Sequence, residues 1–193
     1  VGVKRLTAID PGYAKAGSGC ACAAFDGAHQ LHTTAYLRPH HRPPPRLFAE
    51  IVVVEQPQVD GRTWSATPAT VRLAWEGALV AGRLTGASGG RVVSLTPDDW
   101  KGTIAKPVHH GRAWAVLSDR EQWVLRDVAS AEAIEESKCR GARDRWSKAG
   151  AVYCRGYDHN RLDAVALGLF ALGRLPRYGA GDRETWRNVT EEA

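Results

Sequence analysis

The run Ile51-Val-Val-Val-Glu55 places four consecutive β-branched residues against a single terminal acid. Such residues lose side-chain freedom in a helix and pack well on a pleated surface, so the run is expected to form a strand. With no polar alternation it is a central strand, buried on both faces, and the sheet must continue on either side of it. Other elements follow from period and punctuation. Val3–Ile9, Gly19–Phe25 and Leu31–Leu37 read as strands, and the Asp26-Gly27 turn between the last two is a hairpin signal, so the first three strands are expected to be antiparallel neighbours. The prolines of 38–46 fix φ and remove donors, giving a stiff irregular connection.

Beyond Glu55 the period changes. Thr67-Pro68 is a cap with proline at the first helical position, and Val71, Trp75, Ala78, Leu79 and Gly82 recur at helical spacing until Gly86, where a helix of about five turns is expected to stop. Arg91–Leu95 is a further strand, ended by the capping pattern Thr96-Pro97-Asp98-Asp99. Ser118-Asp-Arg-Glu121 is a capping box ahead of Trp123, Ala129–Lys138 suits another helix, and Asp163–Leu175 is apolar all round, as a helix buried against a sheet would be. Strands followed by alternating helices and strands imply an α/β fold with a mixed sheet. The 193 residues suit one domain over the whole chain, with the last ~15 residues expected to be a tail.

Composition narrows the function classes. No apolar stretch approaches the roughly 20 residues that span a bilayer, and no secretory signal pattern opens the sequence, so no membrane partner is expected and a cytoplasmic location is, in a bacterium or a phage-infected cell. Cys20 and Cys22 alternate on one strand face rather than forming a metal hook, and with Cys139 and Cys154 they read as core or inert thiols. The formal net charge of +5 permits a polyanionic partner, and its distribution favours one. Lys138, Arg140, Arg143, Arg145 and Lys148 surround Trp146. Lys101, Lys106, His109, His110 and Arg112 interleave with Trp100 and Trp114. Either segment alone would ordinarily be a solvated helix face; two with interspersed aromatics point towards contact with a phosphate backbone.

Three acids sit at element ends. Asp10 closes an apolar run before Pro11-Gly12, Glu55 closes the central strand, and Asp163 opens the last apolar stretch. Singly, each has an ordinary explanation as a turn acid, a strand end or a helix cap. Jointly they resemble the carboxylate set of two-metal phosphodiester hydrolysis, which takes hard Mg²⁺ or Mn²⁺, two ions per site. If the first strand adjoins Ile51–Glu55, Asp10 and Glu55 meet at the rim, and the third acid comes from a helix above it. On such a helix His159 and Asn160 share a face with Asp163, which makes His159 a ligand or proton carrier, while Asp158 could reach the site from the preceding turn.

Four stretches carry a family resemblance: Ala8-Ile-Asp-Pro-Gly12, Val53-Val-Glu-Gln-Pro57, Thr96-Pro-Asp-Asp-Trp-Lys-Gly102 running on to Lys106 and His109-His-Gly-Arg112, and His159-Asn-Arg-Leu-Asp-Ala-Val-Ala-Leu-Gly168. In this order they resemble the RNase H-like nucleases, and within them the RuvC-type Holliday junction resolvases of phages and prophages. The resemblance implies a mixed five-stranded sheet with its first three strands antiparallel, flanked by helices, and a homodimer that cuts two strands of a four-way DNA junction with no small-molecule substrate. It implies metal binding by Asp10, Glu55 and Asp163, leaves the fourth ligand open among Asp158, His159 and Asn160, and puts Lys101, Lys106 and Arg112 along the DNA path. Trp64 and Trp75 are candidates for the dimer contact. One departure stands out: many resolvases have an acid where this chain has Asn160.

Rival readings remain. Asp10-Pro-Gly-Tyr-Ala-Lys-Ala-Gly17 also resembles the first phosphate loop of actin-like kinases, but no second such loop follows. A non-catalytic nucleic-acid-binding module rests on the basic clusters alone, and a transposase-like or RNA–DNA hybrid nuclease would keep the same carboxylates.

Overall fold

The structure is a computed structural model that describes residues 4–11, 19–56, 68–102, 104, 106–130 and 159–178. Five strands, β1 (Leu6–Asp10), β2 (Cys20–Phe25), β3 (Leu31–Leu37), β4 (Ile51–Glu55) and β5 (Arg91–Leu95), form one sheet in the order β3-β2-β1-β4-β5. β1, β2 and β3 are successive antiparallel neighbours, whereas β4 runs parallel to both β1 and β5. This is the mixed five-stranded architecture expected from the sequence, with β4 internal and Ile51–Val54 buried.

Helices cover both faces. α1 (Pro68–Ser88) packs on one, while α2 (Pro97–Trp100), α3 (Lys106–Ala115), α4 (Asp119–Ser130) and α5 (His159–Ala171) belong to the other side. The alternation of strand side chains divides the core accordingly. Ile9, Cys20, Cys22, Val52 and Val54 meet Val80, Ala81 and Leu84 of α1. Leu6, Ala8, Ala21, Phe25, Ile51, Val53 and Leu95 meet Trp100 and the α5 residues Leu162, Val165, Ala166, Leu169 and Phe170. Both thiols of β2 are free and buried. Burial, reinforced by Glu76 and Asp10, pushes Cys20 up to about 12, so it stays an inert thiol.

Two helices depart from their expected outlines. α1 runs through Gly86 to Ser88, and its buried side is Gly77, Val80, Ala81 and Leu84. The apolar recurrence that marked it as a helix faces outward instead: Val71, Trp75 and Leu79 are exposed. α5 starts at His159 and ends at Ala171, earlier than expected at both ends. Gly173 takes a left-handed φ of 69°, and Arg174 N donates to Leu169 O at 2.8 Å, which closes the helix. Asp163 therefore lies in the second turn and is not a cap. α3 lacks an apolar stripe in the sequence because two of its buried residues are His109 and His110. The expected helix over 129–138 lies mostly outside the described residues, although α4 extends to Ser130. The expected tail lies outside them too.

The close approach of α5 to the sheet requires Gly168. A Cβ there would stand 2.2 Å from Cε2 of Phe25, a buried ring with little room to retreat. Gly168→Ala should therefore destabilise the fold by roughly 1–3 kcal/mol, despite alanine's better helix propensity. Urea unfolding checks this, and Phe25→Leu in the same chain should recover part of the loss. Equal stability of Gly168→Ala and the parent would refute the contact.

Candidate active site

Asp10 and Glu55 end adjacent strands. The β1–β4 register pairs Ile9 with Val54, so the next residue on each strand, Asp10 and Glu55, emerges at the same rim. Both acids lie on the α5 side of the sheet. Asp10 is opposite Ala21 and Glu55 opposite Leu95, and both of those neighbours belong to the core beneath α5. α5 crosses that face with Asp163, 6% exposed, in its second turn. Three acids distant in sequence are thus brought to one side and one end of the sheet, and the field of Asp163 is felt at Glu55.

The Thr96–Gly102 segment folds back over Glu55. Thr96 caps α2 reciprocally: its hydroxyl accepts from Asp99 N at 3.3 Å, and the Asp99 carboxylate accepts from Thr96 N at 2.7 Å. The short helix then delivers two donors. The Trp100 indole donates to Glu55 Oε2 at 2.9 Å, and Lys101 Nζ to the same oxygen at 3.2 Å. Gly102 completes the turn at a φ of 64°, where a Cβ would stand 2.5 Å from Tyr178 O. The Trp-Lys-Gly motif thus supplies an orienting donor, a counter-ion and the only residue type that fits the turn.

α3 treats Asp163 similarly. Lys106 Nζ lies 2.5 Å from Asp163 Oδ2, and His110 Nε2 is hydrogen-bonded to Oδ1 at 2.7 Å. Burial alone would raise the Asp163 carboxyl, but the His110 hydrogen bond and the Lys106 charge hold it well below the usual carboxylate range. Glu55 goes the other way. Burial and the nearby Asp163 outweigh Lys101 and Trp100, leaving its carboxyl raised. For Lys101, burial opposes the charge, but Glu55, Asp163 and Asp10 together favour it and raise its pKa.

Several sequence expectations need correction here. His109 and His110, expected along the DNA path, are 2% and 1% exposed, so neither offers a nitrogen to a phosphate from the surface. His109 packs edge-on against Trp100 at 5.0 Å between ring centres. Burial and the neighbouring His110 bring its pKa down to about 3, so it is neutral. Arg112 donates to Pro176 O at 3.2 Å and stands over the Tyr178 ring, tying α3 to the chain after α5. Lys101 and Lys106, expected along the DNA path, lie at the rim, each paired to a carboxylate. His159 is the first residue of α5, one turn before Asp163. Asp158, Arg140, Arg143, Arg145 and Lys148 lie outside the described residues, as does Trp64.

The donor chemistry at the rim suits a hard divalent cation, since all three acids offer carboxylate oxygens and the two thiols of β2 face the other side of the sheet. As placed, no three His, Cys, Asp or Glu side chains among the described residues form a set that could hold a metal ion. Oε2 of Glu55 and both oxygens of Asp163 are turned to ammonium, indole and imidazole groups. Occupancy of those oxygens by metal requires at least the lysines to yield.

No family model and no curated protein matches the chain. Among solved structures it is similar to RuvC of Thermus thermophilus, at 16% identity over 86% of this chain and 91% of that one, with a TM-score of 0.35. A second similar structure is T. thermophilus RuvC in complex with Holliday junction substrate, at 15% identity over 89% and 98%, with a TM-score of 0.35. Likenesses at that score add no weight to the geometry.

Proposed function

We propose that the chain is a metal-dependent endonuclease of RuvC type that resolves four-way DNA junctions by paired phosphodiester hydrolysis. The observation that carries this reading is the emergence of Asp10 and Glu55 at one rim of the sheet, on the face crossed by α5 and Asp163. Two carboxylates ending neighbouring strands inside a cation-rich cleft are costly to fold, and hydrolytic chemistry accounts for that cost.

Asp10, Glu55 and Asp163 would hold Mg²⁺ or Mn²⁺, two ions per site, with Asp158 or His159 completing the set. When bound, such ions supply an activated water and stabilise the departing oxygen. The chain's own groups do the rest. Trp100 fixes the orientation of Glu55, and His110 fixes that of Asp163. Lys101 and Lys106 bring positive charge to the cleft that receives the scissile phosphate, and Arg140, Arg143, Arg145 and Lys148 would grip the junction arms. Affinity should fall steeply with salt. The reaction belongs in the cytoplasm, on branched DNA.

The test is cleavage of a synthetic four-way junction in Mg²⁺ and in EDTA, beside a linear duplex and an RNA–DNA hybrid. Paired cuts in the junction with Mg²⁺ alone support the reading. Preferred cleavage of the hybrid or the duplex would move the chain to another RNase H-like nuclease, and binding without any cleavage would make it a non-catalytic module.

Paired cutting calls for two sites, and α1 offers a face for a second copy. Val71, Trp75 and Leu79 are exposed on one stripe that continues through Gly82 and Gly86. Among the described residues, nothing lies within 4 Å of where a Cβ would be at Gly82 or Gly86. In an antiparallel pair centred between Ala78 and Leu79, Trp75 of each copy lies over Gly82 of the other and Val71 over Gly86, large against small across about 22 Å. Gly82→Arg should therefore give a monomer by light scattering that keeps the parental circular dichroism, since none of the described residues lies within 4 Å of that position. A dimer of undiminished affinity would place the contact elsewhere.

A further inference from the structure

Two of the cleft acids, Glu55 and Asp163, are already paired with the chain's own lysines. Lys101 Nζ sits 3.2 Å from Glu55 Oε2, one of the two oxygens that acid could give a metal ion, and Lys106 Nζ 2.5 Å from Asp163 Oδ2, the oxygen that His110 leaves. Neither ammonium is enclosed, although Lys101 also stands over the Trp100 ring at 4.9 Å. The side chains are 30% and 43% exposed, whereas Glu55 and Asp163 are 15% and 8% exposed, so each pair joins a fixed acid to a partner that can withdraw into solvent. His110, by contrast, is 1% exposed and has nowhere to go. The two lysines approach from separate elements, Lys101 from the turn after α2 and Lys106 from the start of α3.

We infer that Lys101 and Lys106 are exchangeable counter-ions, which leave Glu55 and Asp163 when divalent metal binds and are thereby released to DNA phosphates. This rests on the proposed reading of the site as a metal-dependent nuclease. The lysines keep the buried carboxylates compensated in the metal-free protein, where an unpaired buried charge would be strongly destabilising. On exchange their positive charges are not lost but redirected. Metal and junction then bind cooperatively, each favouring the conformation the other needs.

The experiment compares the full chain with Lys101→Met/Lys106→Met and Lys101→Arg/Lys106→Arg. Mg²⁺ binding is measured by calorimetry, and four-way junction binding by anisotropy with and without Ca²⁺, with a gel confirming intact DNA. The Met pair should bind Mg²⁺ about tenfold more tightly than the parent, because no ion pairs have to be broken. The Arg pair should bind it several-fold more weakly. Its charge is unchanged, but a guanidinium fork holds carboxylate in two hydrogen bonds, so a purely through-space effect of charge would leave it equal to the parent. In the parent, Ca²⁺ should steepen the dependence of log K on log salt by about 1.8, two phosphate contacts' worth. The Met pair should show no such change.

Equal Mg²⁺ affinity in all three chains, or a salt slope in the parent that ignores Ca²⁺, overturns the exchange. If that happens while the parent still cuts junctions in Mg²⁺, the nuclease reading stands and only the role of the lysines falls. If the parent and the Met pair both fail to bind Mg²⁺ and the parent cuts nothing, both fall together.

Discussion

Asp10→Asn should bind a four-way junction within about twofold of the parent chain yet cleave it at least ~10³-fold more slowly, the several kcal/mol of transition-state stabilisation expected of a metal-held carboxylate. The substitution keeps the shape of a side chain that is 5% exposed at the end of β1, so the strand and its register are undisturbed. What changes is one negative charge in a cleft that also holds Glu55 and Asp163. Removing it relieves repulsion from the other acids but also gives up its attraction to Lys101, so the Tm should change little while activity is lost. Single-turnover cleavage, anisotropy and a thermal melt on one preparation provide the check. A variant that cuts at the parental rate would leave Asp10 as a turn acid and remove the chemistry proposed for the rim.

The placement of Asp10 was readable in advance for a simple reason. Strand side chains alternate with a period of two, so an acid that ends an apolar run is assigned to a face as soon as the neighbouring strand is known. Ile51–Val54 identified that neighbour by its lack of polar alternation, and β4 does lie beside β1. Helix periodicity carries less. It marks an apolar stripe but not which side meets the core, and in α1 the conspicuous stripe of Val71, Trp75 and Leu79 faces solvent while the small residues Gly77 and Ala81 pack inward. In α3 the buried side includes two histidines, so its sequence looks like an exposed basic segment. Composition could assign Lys101, Lys106, His109 and His110 to a cationic group. Only the fold separates the two that pair with acids at the rim from the neutral His109 packed under Trp100 and from the His110 that orients Asp163.

Glu121→Ala should lower stability by about 3–5 kcal/mol, a fall of roughly 10 °C in Tm for a chain of this size. The sequence offered this residue only as the acid of a capping box, and that role is real: Glu121 Oε2 accepts from Ser118 N and Ser118 Oγ, both at 2.8 Å. The structure adds partners from far along the chain. Oε1 accepts from Leu31 N at 2.7 Å and Arg174 NH1 at 2.6 Å, while Oε2 also accepts from Arg174 NH2 at 2.9 Å. One fully buried carboxylate therefore joins the start of α4, the start of β3 and the chain just after α5, which is the helix that carries Asp163. Truncation leaves the Arg174 guanidinium only the carbonyls of His29 and Val116 and takes the acceptor from the Leu31 and Ser118 backbone donors. Burial alone would raise this carboxyl, but the Arg174 pairing and the hydrogen bonds from Leu31 and Ser118 bring it from 4.5 down to about 2. A depressed carboxylate stabilises the fold fully above its unfolded value, and the contribution is lost as pH falls through the folded one. Between about pH 4.5 and pH 2, then, the parent should shed on the order of 3 kcal/mol through this group. Glu121→Gln lacks that titration. Urea unfolding at pH 6 should show the parent well above Glu121→Gln, with the gap closing as the pH approaches 2. A gap that stays constant with pH would mean that packing, and not the charge on Glu121, ties these three elements together.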